Sequence, residues 1–213
     1  SKMSNSIRFK KLILAVAAVL CCGICIFSIS GNASAATYTD KSGKWTCTIV
    51  DETAKTVSIK PAKTGVAGVS KGAITIPNTV VVNSKTYKVT MIAGSAYAHK
   101  TITSVKTVSG SSLVQINVNA FQNCTALTNV DFSMSNSLTK IYGTAFANCT
   151  AVTKFNFKNS NLTGVAANAF SKAGKSTTNI WVKNSGSYNK VKASGTLVSS
   201  PVAYNYTITY NGN

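Results

Sequence analysis

Two stretches of this sequence repeat each other at an offset of 25 residues. The segment that begins at Leu113 reads LVQINVNAFQNCTALTNVDF, and the segment that begins at Leu138 reads LTKIYGTAFANCTAVTKFNF. Ala-Phe and Asn-Cys-Thr occupy the same places in both. Self-similarity at a period of about 20–50 residues indicates a stacked-repeat architecture, in which each unit buries its apolar side against its neighbours.

Four columns of residues stay in register over four copies, with spacings of 24, 25 and 24 residues. The columns are Val89, Leu113, Leu138 and Leu162; Ile92, Ile116, Ile141 and Val165; Ala96, Ala120, Ala145 and Ala169; and Tyr97, Phe121, Phe146 and Phe170. One such unit cannot bury its apolar side alone, so each column predicts a continuous ladder in a core. The pattern predicts an α/β-type or mainly β repeat solenoid.

Each copy ends in a short stretch of alternating residues, which predicts a strand. These stretches are Thr103–Val108, Thr128–Phe132, Thr153–Phe157 and Thr178–Val182. Because side chains alternate across a strand, the residues between the apolar ones should point outward. The outward columns are Ser104, Asn129, Lys154 and Asn179, and Lys106, Asp131, Asn156 and Trp181. These eight residues are the candidate ligand-binding face.

Two members of this face carry more specific expectations. Lys106 and Asp131 fall on successive strands and are predicted to form a weak ion pair. Trp181 is an aromatic residue on an otherwise polar face. It is either a recognition anchor, since aromatics are enriched at binding hot spots, or a residue covered by the C-terminal segment.

Residues 1–36 have the pattern of a signal peptide. Arg8, Lys10 and Lys11 form a positive region, an apolar run from Leu12 to Ile29 follows, and Ala33-Ser34-Ala35 matches a cleavage site. An uncleaved anchor is the alternative. The remainder has no second long apolar run, so no membrane span is expected after signal cleavage.

The remaining sequence divides into three parts. Residues 37–70 are expected to form an N-terminal β cap, with a hairpin over residues 40–61. Residues 71–185 are expected to form the repeat solenoid, with about four copies of 24–25 residues. Residues 186–213 contain a predicted strand at Ala203–Tyr210. It caps the last unit, begins a further domain, or presents tyrosines to a sugar or peptide.

The charged and reactive residues argue against several classes of function. The net charge is +18, with 22 basic and 4 acidic residues and a single histidine, His99. This leaves little material for acid–base catalysis or metal ligation, so we expect no enzyme, no catalytic residue, no metal and no cofactor. Lysines with hardly any arginine, in an exported chain, also argue against nucleic acid as a partner. Cys124 and Cys149 occupy equivalent positions and are expected to be buried free thiols rather than a strained disulfide.

The sequence resembles the BspA-type leucine-rich-repeat proteins, which are mostly bacterial cell-surface or secreted proteins. Ile76-Pro77, Tyr87-Lys88-Val89-Thr90, Ala120–Cys124 and Ala145–Cys149 carry the resemblance, which covers Ile74 to about Val182. It implies a curved solenoid with a parallel sheet on one face, an adhesive role, and no catalytic motif. The expected function is that of a secreted or cell-surface adhesion module that binds an extracellular protein or glycan through its solenoid face. The alternative is a structural spacer held on anionic cell-wall polymer by its lysines.

Overall fold

The computed structural model describes residues 35–175 and 177–194, together with the backbone of residues 203–205. Nearly all of the predicted signal peptide, residues 1–34, lies outside the described residues. The described residues from Ala35 onward form one compact unit. Within the described ranges, no helix has the length and apolar character needed to cross a membrane.

Two sheets face each other across one apolar core. The first sheet contains β1 (Thr37–Thr39), β2 (Trp45–Asp51), β3 (Thr56–Pro61), β5 (Thr79–Val82), β6 (Lys85–Ile92), β8 (Gln115–Ile116), β10 (Lys140–Ile141) and β12 (Gly164–Val165). The second sheet contains β4 (Gly72–Thr75), β7 (Ile102–Lys106), β9 (Asn129–Asp131), β11 (Lys154–Phe157), β13 (Asn179–Val182) and β14 (Ala203–Asn205). One helix, α1 (Ser185–Ala193), is also described.

The chain passes from the first sheet to the second once in every repeat. From β6 onward, the strands of the first sheet pair in parallel in the order β6, β8, β10 and β12. Strands β4, β7, β9, β11, β13 and β14 pair in parallel in the second. The predicted repeat solenoid is therefore confirmed. The difference from the expected single parallel sheet is the additional parallel ladder of the first sheet, whose strands β8, β10 and β12 span only two residues each.

The N-terminal region is a hairpin that merges into the stack. Strands β2 and β3 pair antiparallel, as the alternation over residues 40–61 predicts. Strand β3 then pairs in parallel with β6, so the first rung already begins inside the stretch predicted as a cap. Strands β5 and β6 form a second hairpin whose turn residues, Asn83 and Ser84, both have positive φ, as a two-residue hairpin turn requires.

A stack of aromatic rings forms the centre of the core. The rings of Tyr97, Phe121, Phe146 and Phe170 lie nearly parallel, with successive centroids 5.0, 5.1 and 5.5 Å apart. Each ring is fully buried. The register columns of the sequence thus correspond to continuous ladders, because residues at equal places in successive repeats stack on each other.

The asparagine that precedes each repeat cysteine fixes the turn between the sheets. Asn123 and Asn148 have φ of 58° and 60°, a left-handed conformation that asparagine tolerates better than most residues. The amide of Asn148 donates to Oδ1 of Asn123 over 2.7 Å. The two side chains thus bond each other, while the backbone N–H groups at these positions reach carbonyls of the next rung.

Replacing Tyr97 with phenylalanine is expected to stabilise the protein by about 1 kcal/mol, because a buried hydroxyl without a partner costs free energy. The Tyr97 hydroxyl is buried and has no hydrogen-bond partner, and burial raises the pKa of this group. Urea unfolding measures the change. The matched control is Tyr87→Phe, which removes a hydroxyl that donates to Glu52 over 2.8 Å and should give no gain. Equal effects of the two substitutions would contradict the interpretation.

The last described rungs depart from the repeat in two ways. A Cβ atom at Gly174 would lie 2.6 Å from Oγ1 of Thr178, so the turn into β13 requires glycine. Helix α1 then takes the place of the next strand of the first sheet. It begins after Asn184, whose side chain accepts from the N–H of Ser187, and it docks through buried Ser187 and Val191. Strand β14, part of the predicted Ala203–Tyr210 strand, pairs with β13; the rest of that prediction lies outside the described residues.

Candidate functional site

The outward side of the second sheet brings the eight candidate residues into two straight columns. In the backbone register, Ser104, Asn129, Lys154 and Asn179 are successive partners, and so are Lys106, Asp131, Asn156 and Trp181. Val105, Val130, Phe155 and Ile180 alternate with them and are buried. We call the eight residues the outward face.

Asn156 requires a correction, because it is only 5% exposed although its register position is outward. Its Oδ1 accepts from the backbone N–H of Lys158 over 3.2 Å. Asp131, at the equivalent place one rung earlier, accepts from the N–H of Ser133 over 3.0 Å. Both side chains therefore hold the turn that follows their strand, a common use of Asp and Asn.

The predicted ion pair between Lys106 and Asp131 is wrong. Although the two residues are register partners, they do not come within ion-pair distance. In the part of the chain that the structure describes, the ion pairs are those of Glu52 with Lys55 and Lys85, at 2.7 and 2.9 Å. The Asp131 carboxylate instead turns toward its own loop, where a backbone N–H is closer than the lysine.

Trp181 lies beneath a lysine from the neighbouring rung. The ammonium of Lys154 is 4.5 Å from the centroid of the indole ring, within the range of a cation–π contact. The indole Nε1 is covered and has no hydrogen-bond partner among the residues that the structure describes. Trp181 itself is partly exposed, and β14 extends the sheet beside it. The sequence places Trp181 on this face, but the contact with Lys154 joins different columns and was not predicted.

The two asparagines that flank Lys154 in its column have free amides. Asn129 and Asn179 are partly exposed, and neither side chain has a hydrogen-bond partner among the residues described. An amide both donates and accepts hydrogen bonds. Together with Lys154 and Trp181, they give the C-terminal half of the outward face two amides, a cation and an aromatic ring.

Most lysines of the protein have no anionic partner, because the acids are used in local structure. Asp40 accepts a hydrogen bond from the N–H of Ser42, Asp51 accepts one from the N–H of Ala54, and Asp131 accepts one from the N–H of Ser133. Only Glu52 pairs with lysines. Of the eighteen lysines from Lys41 to Lys192, sixteen therefore have no ion-pair partner within the described ranges.

The cysteines, which are the other potentially reactive side chains, are buried in the apolar core. Cys47, Cys124 and Cys149 are free thiols and fully buried, as predicted for the latter two. The thiols of Cys124 and Cys149 lie 3.0 Å from the carbonyl oxygens of Tyr97 and Phe121, contacts that the sequence did not indicate. The neighbouring Cys124 thiol and burial raise the pKa of Cys149.

The outward face contains no histidine and no group of metal-binding side chains. The ring of His99 contacts the amide of Asn123 at 3.3–3.4 Å, at the turn between the sheets. No group of three or more His, Cys, Asp or Glu side chains that could hold a metal occurs in the described residues.

Comparison with known proteins gives one family and several similar folds. The sequence profile of the BspA type Leucine rich repeat region matches residues 74–193 in six copies, two more than the columns indicate. No curated protein matches the chain. A leucine-rich repeat protein from Bacteroides capillosus superposes with a TM-score of 0.55 at 24% identity, covering 67% of this chain and 96% of that one. A leucine rich cell surface protein from Faecalibacterium prausnitzii gives a TM-score of 0.49 at 22% identity, covering 72% of this chain and 46% of that one.

Proposed function

Because this chain belongs to the BspA-type leucine-rich repeat family, we propose that it is an exported, surface-associated binding module. Its outward face engages an extracellular protein or glycan. Solenoids commonly bind through an extended surface built from successive repeats. The interpretation carries no catalytic role and no cofactor.

The proposal rests on side chains of the outward face that have no hydrogen-bond partner among the described residues. Asn129 and Asn179 keep unpaired amides, and Trp181 offers a partly exposed ring. The inward residues between them are fully buried, so the strands hold these groups at fixed spacing. A rigid surface of this kind loses little conformational entropy when it binds.

A structural spacer held on anionic wall polymer is the second candidate. The sixteen lysines without ion-pair partners in the described ranges favour it, because they attract any anionic surface. Such attachment depends on the summed charge rather than on one face. It should weaken steeply with salt and respond equally to the loss of any exposed lysine.

Binding to a panel of extracellular-matrix proteins, mucin, wall polymers and glycans tests the two candidates. Lys154→Ala and Trp181→Ala should each weaken binding about tenfold if they contact the partner. The matched control is Lys140→Ala, since Lys140 is an exposed lysine of the first sheet in the same repeat. Binding unchanged by the first two substitutions would refute the outward face. Equal losses from Lys154→Ala and Lys140→Ala would favour the spacer.

A further inference from the structure

Basic charge is distributed unevenly along the stack. From Ser133 to the end of the chain there are eight lysines and no aspartate or glutamate. All four acids precede that point, and Asp131, the nearest, is bonded to its own turn. The rungs of β11 and β13 therefore carry lysines but no carboxylate of their own, and Asp131 lies one rung away on β9.

One of these lysines contacts Trp181, and two more follow the strands beside it. Lys154 lies over the indole ring at 4.5 Å. Lys158 and Lys183 are exposed and directly follow β11 and β13, at equivalent places in adjacent repeats. Because paired strands lie about 4.8 Å apart, the backbone positions of Lys158 and Lys183 are neighbours, and they lie roughly 13 Å along the strands from those of Lys154 and Asn179. We call Lys154, Lys158, Lys183 and Trp181 the Trp181 cluster.

We propose that the Trp181 cluster, with the amides of Asn129 and Asn179, binds an acidic polysaccharide whose sugars carry carboxylate or sulfate groups. This inference rests on the proposed function and specifies its ligand class. The apolar face of one sugar ring stacks on the indole in the place that Lys154 occupies in the free protein. Lys154 moves from the ring to the acidic group, so that one ligand uses both partners of the present cation–π contact.

The mixture of groups favours a polysaccharide over an acidic peptide. Sugar hydroxyls both donate and accept hydrogen bonds, as do the free amides of Asn129 and Asn179. The side chains of an acidic peptide such as polyglutamate offer carboxylates that only accept hydrogen bonds, and they have no ring face to stack on the indole. An aromatic ring, two amides and several cations along one strand direction therefore match a sugar chain that is hydroxylated and acidic at the same time.

Tryptophan fluorescence provides a direct test, because the chain has only two tryptophans. The Trp45→Phe variant leaves Trp181 as the single tryptophan, which is excited selectively over the tyrosines at long wavelength. It is titrated with polygalacturonate, dextran sulfate, neutral dextran and polyglutamate at about 0.15 M salt, where surface charges act only over short distances. We expect one or both acidic polysaccharides to change the Trp181 signal and to bind, with neutral dextran and polyglutamate binding about tenfold more weakly or not at all.

Three substitutions in the otherwise unchanged chain test the residues. Trp181→Ala and Lys154→Gln should each weaken binding of the acidic polysaccharide about tenfold. Lys190→Gln, which removes an exposed lysine of α1, should change it by less than about twofold. Since Trp181→Ala removes a large side chain from β13, Lys154→Gln provides the decisive variant. It leaves the indole and the strand intact, and its unfolding midpoint should match that of the parent protein.

Two outcomes would overturn the inference. The first is polyglutamate binding as tightly as the acidic polysaccharides and equally in all variants, which would reduce the cluster to general charge attraction. The second is no binding of either acidic polysaccharide. If the outward face still binds a protein from the panel and responds to Trp181→Ala, only the ligand class is wrong. If no partner in the panel responds to these substitutions, both the ligand class and the proposed binding function are wrong.

Discussion

Replacing Phe146 with alanine is expected to lower the free energy of unfolding by about 3–5 kcal/mol, the usual cost of removing a buried aromatic ring. The Phe146 ring stacks between Phe121 and Phe170, with centroids 5.1 and 5.5 Å away. It also meets the edges of Phe155 and Phe157 across the core. The cavity would lie between two rungs, so that coupling between neighbouring repeats weakens on both sides. Urea unfolding followed by circular dichroism measures the loss.

Two further variants define what this result means. Phe146→Leu keeps most of the volume and should cost less than half as much, about 1–2 kcal/mol. Val118→Ala, at a residue that is 48% exposed, should change the unfolding free energy by less than about 0.5 kcal/mol. A loss below about 1 kcal/mol for Phe146→Ala would contradict the view that the aromatic stack holds the repeats together.

Replacing Asp40 with alanine is expected to cost about 2–4 kcal/mol, because three backbone N–H groups lose a charged acceptor. One carboxylate oxygen accepts from the N–H groups of Lys44 and Trp45, and the other from the N–H and hydroxyl of Ser42. These bonds close the turn between β1 and β2, and Asp40 is only 7% exposed. Asp40→Asn keeps one acceptor oxygen and should lose about half as much. Ser42→Ala removes the hydroxyl that donates to Asp40 over 2.7 Å and accepts from the N–H of Lys44 over 3.3 Å, but it leaves the three backbone donors bonded to the carboxylate, so it should lose least.

The same site gives an expected pH dependence. Burial acts to raise the pKa of Asp40, but the hydrogen bonds from Ser42, Trp45 and Lys44 outweigh it, so that the pKa lies below its ordinary value. A lowered pKa stabilises the fold above the unfolded-state value, and the stabilisation disappears as pH falls through the folded-state value. The difference in unfolding free energy between the parent protein and Asp40→Asn should therefore be full at about pH 5–6 and shrink below about pH 4. A difference that stays constant down to about pH 2 would contradict this assignment.

The repeated part of the fold was predictable because its signal is redundant. Phe121, Phe146 and Phe170 recur at nearly equal spacing, and each occurrence reinforces the same interpretation. Alternation then placed Lys154 and Trp181 on the outward side, since a strand leaves only two directions for a side chain. The structure departs from expectation where the sequence pattern that specifies an element occurs only once. Helix α1 buries only Ser187 and Val191, so it has hardly any apolar periodicity, and Asn184 was its one start signal.

The candidate site was predictable in its position but not in its contacts. Alternation shows which way a residue points, not what it bonds. Asp131 and Asn156 point outward like their neighbours, yet both fold back on the N–H group two residues ahead. The contact between Lys154 and Trp181 joins different columns and depends on side-chain rotamers, which a register cannot specify. The parallel pairing of β3 with β6 could not be predicted either. A strand of a hairpin and the first strand of a parallel stack show the same alternation of apolar and polar residues.

The junctions between repeats have a consequence for how such a chain changes in length. The stacked ring, the asparagine bond and the contact from thiol to carbonyl join Phe121 to Phe146, Asn123 to Asn148, and Cys149 to Phe121. The first two contacts join equivalent places in successive repeats, and the third recurs one repeat earlier between Cys124 and Tyr97. Duplicating the 25 residues from Leu113 to Ser137 would therefore add one unit and one junction, in which Phe121 and Asn123 meet the same residues of the copy, as they now meet Phe146 and Asn148. Copy number can change by whole units at little energetic cost, while the outward residues of the inserted rung remain free to diverge.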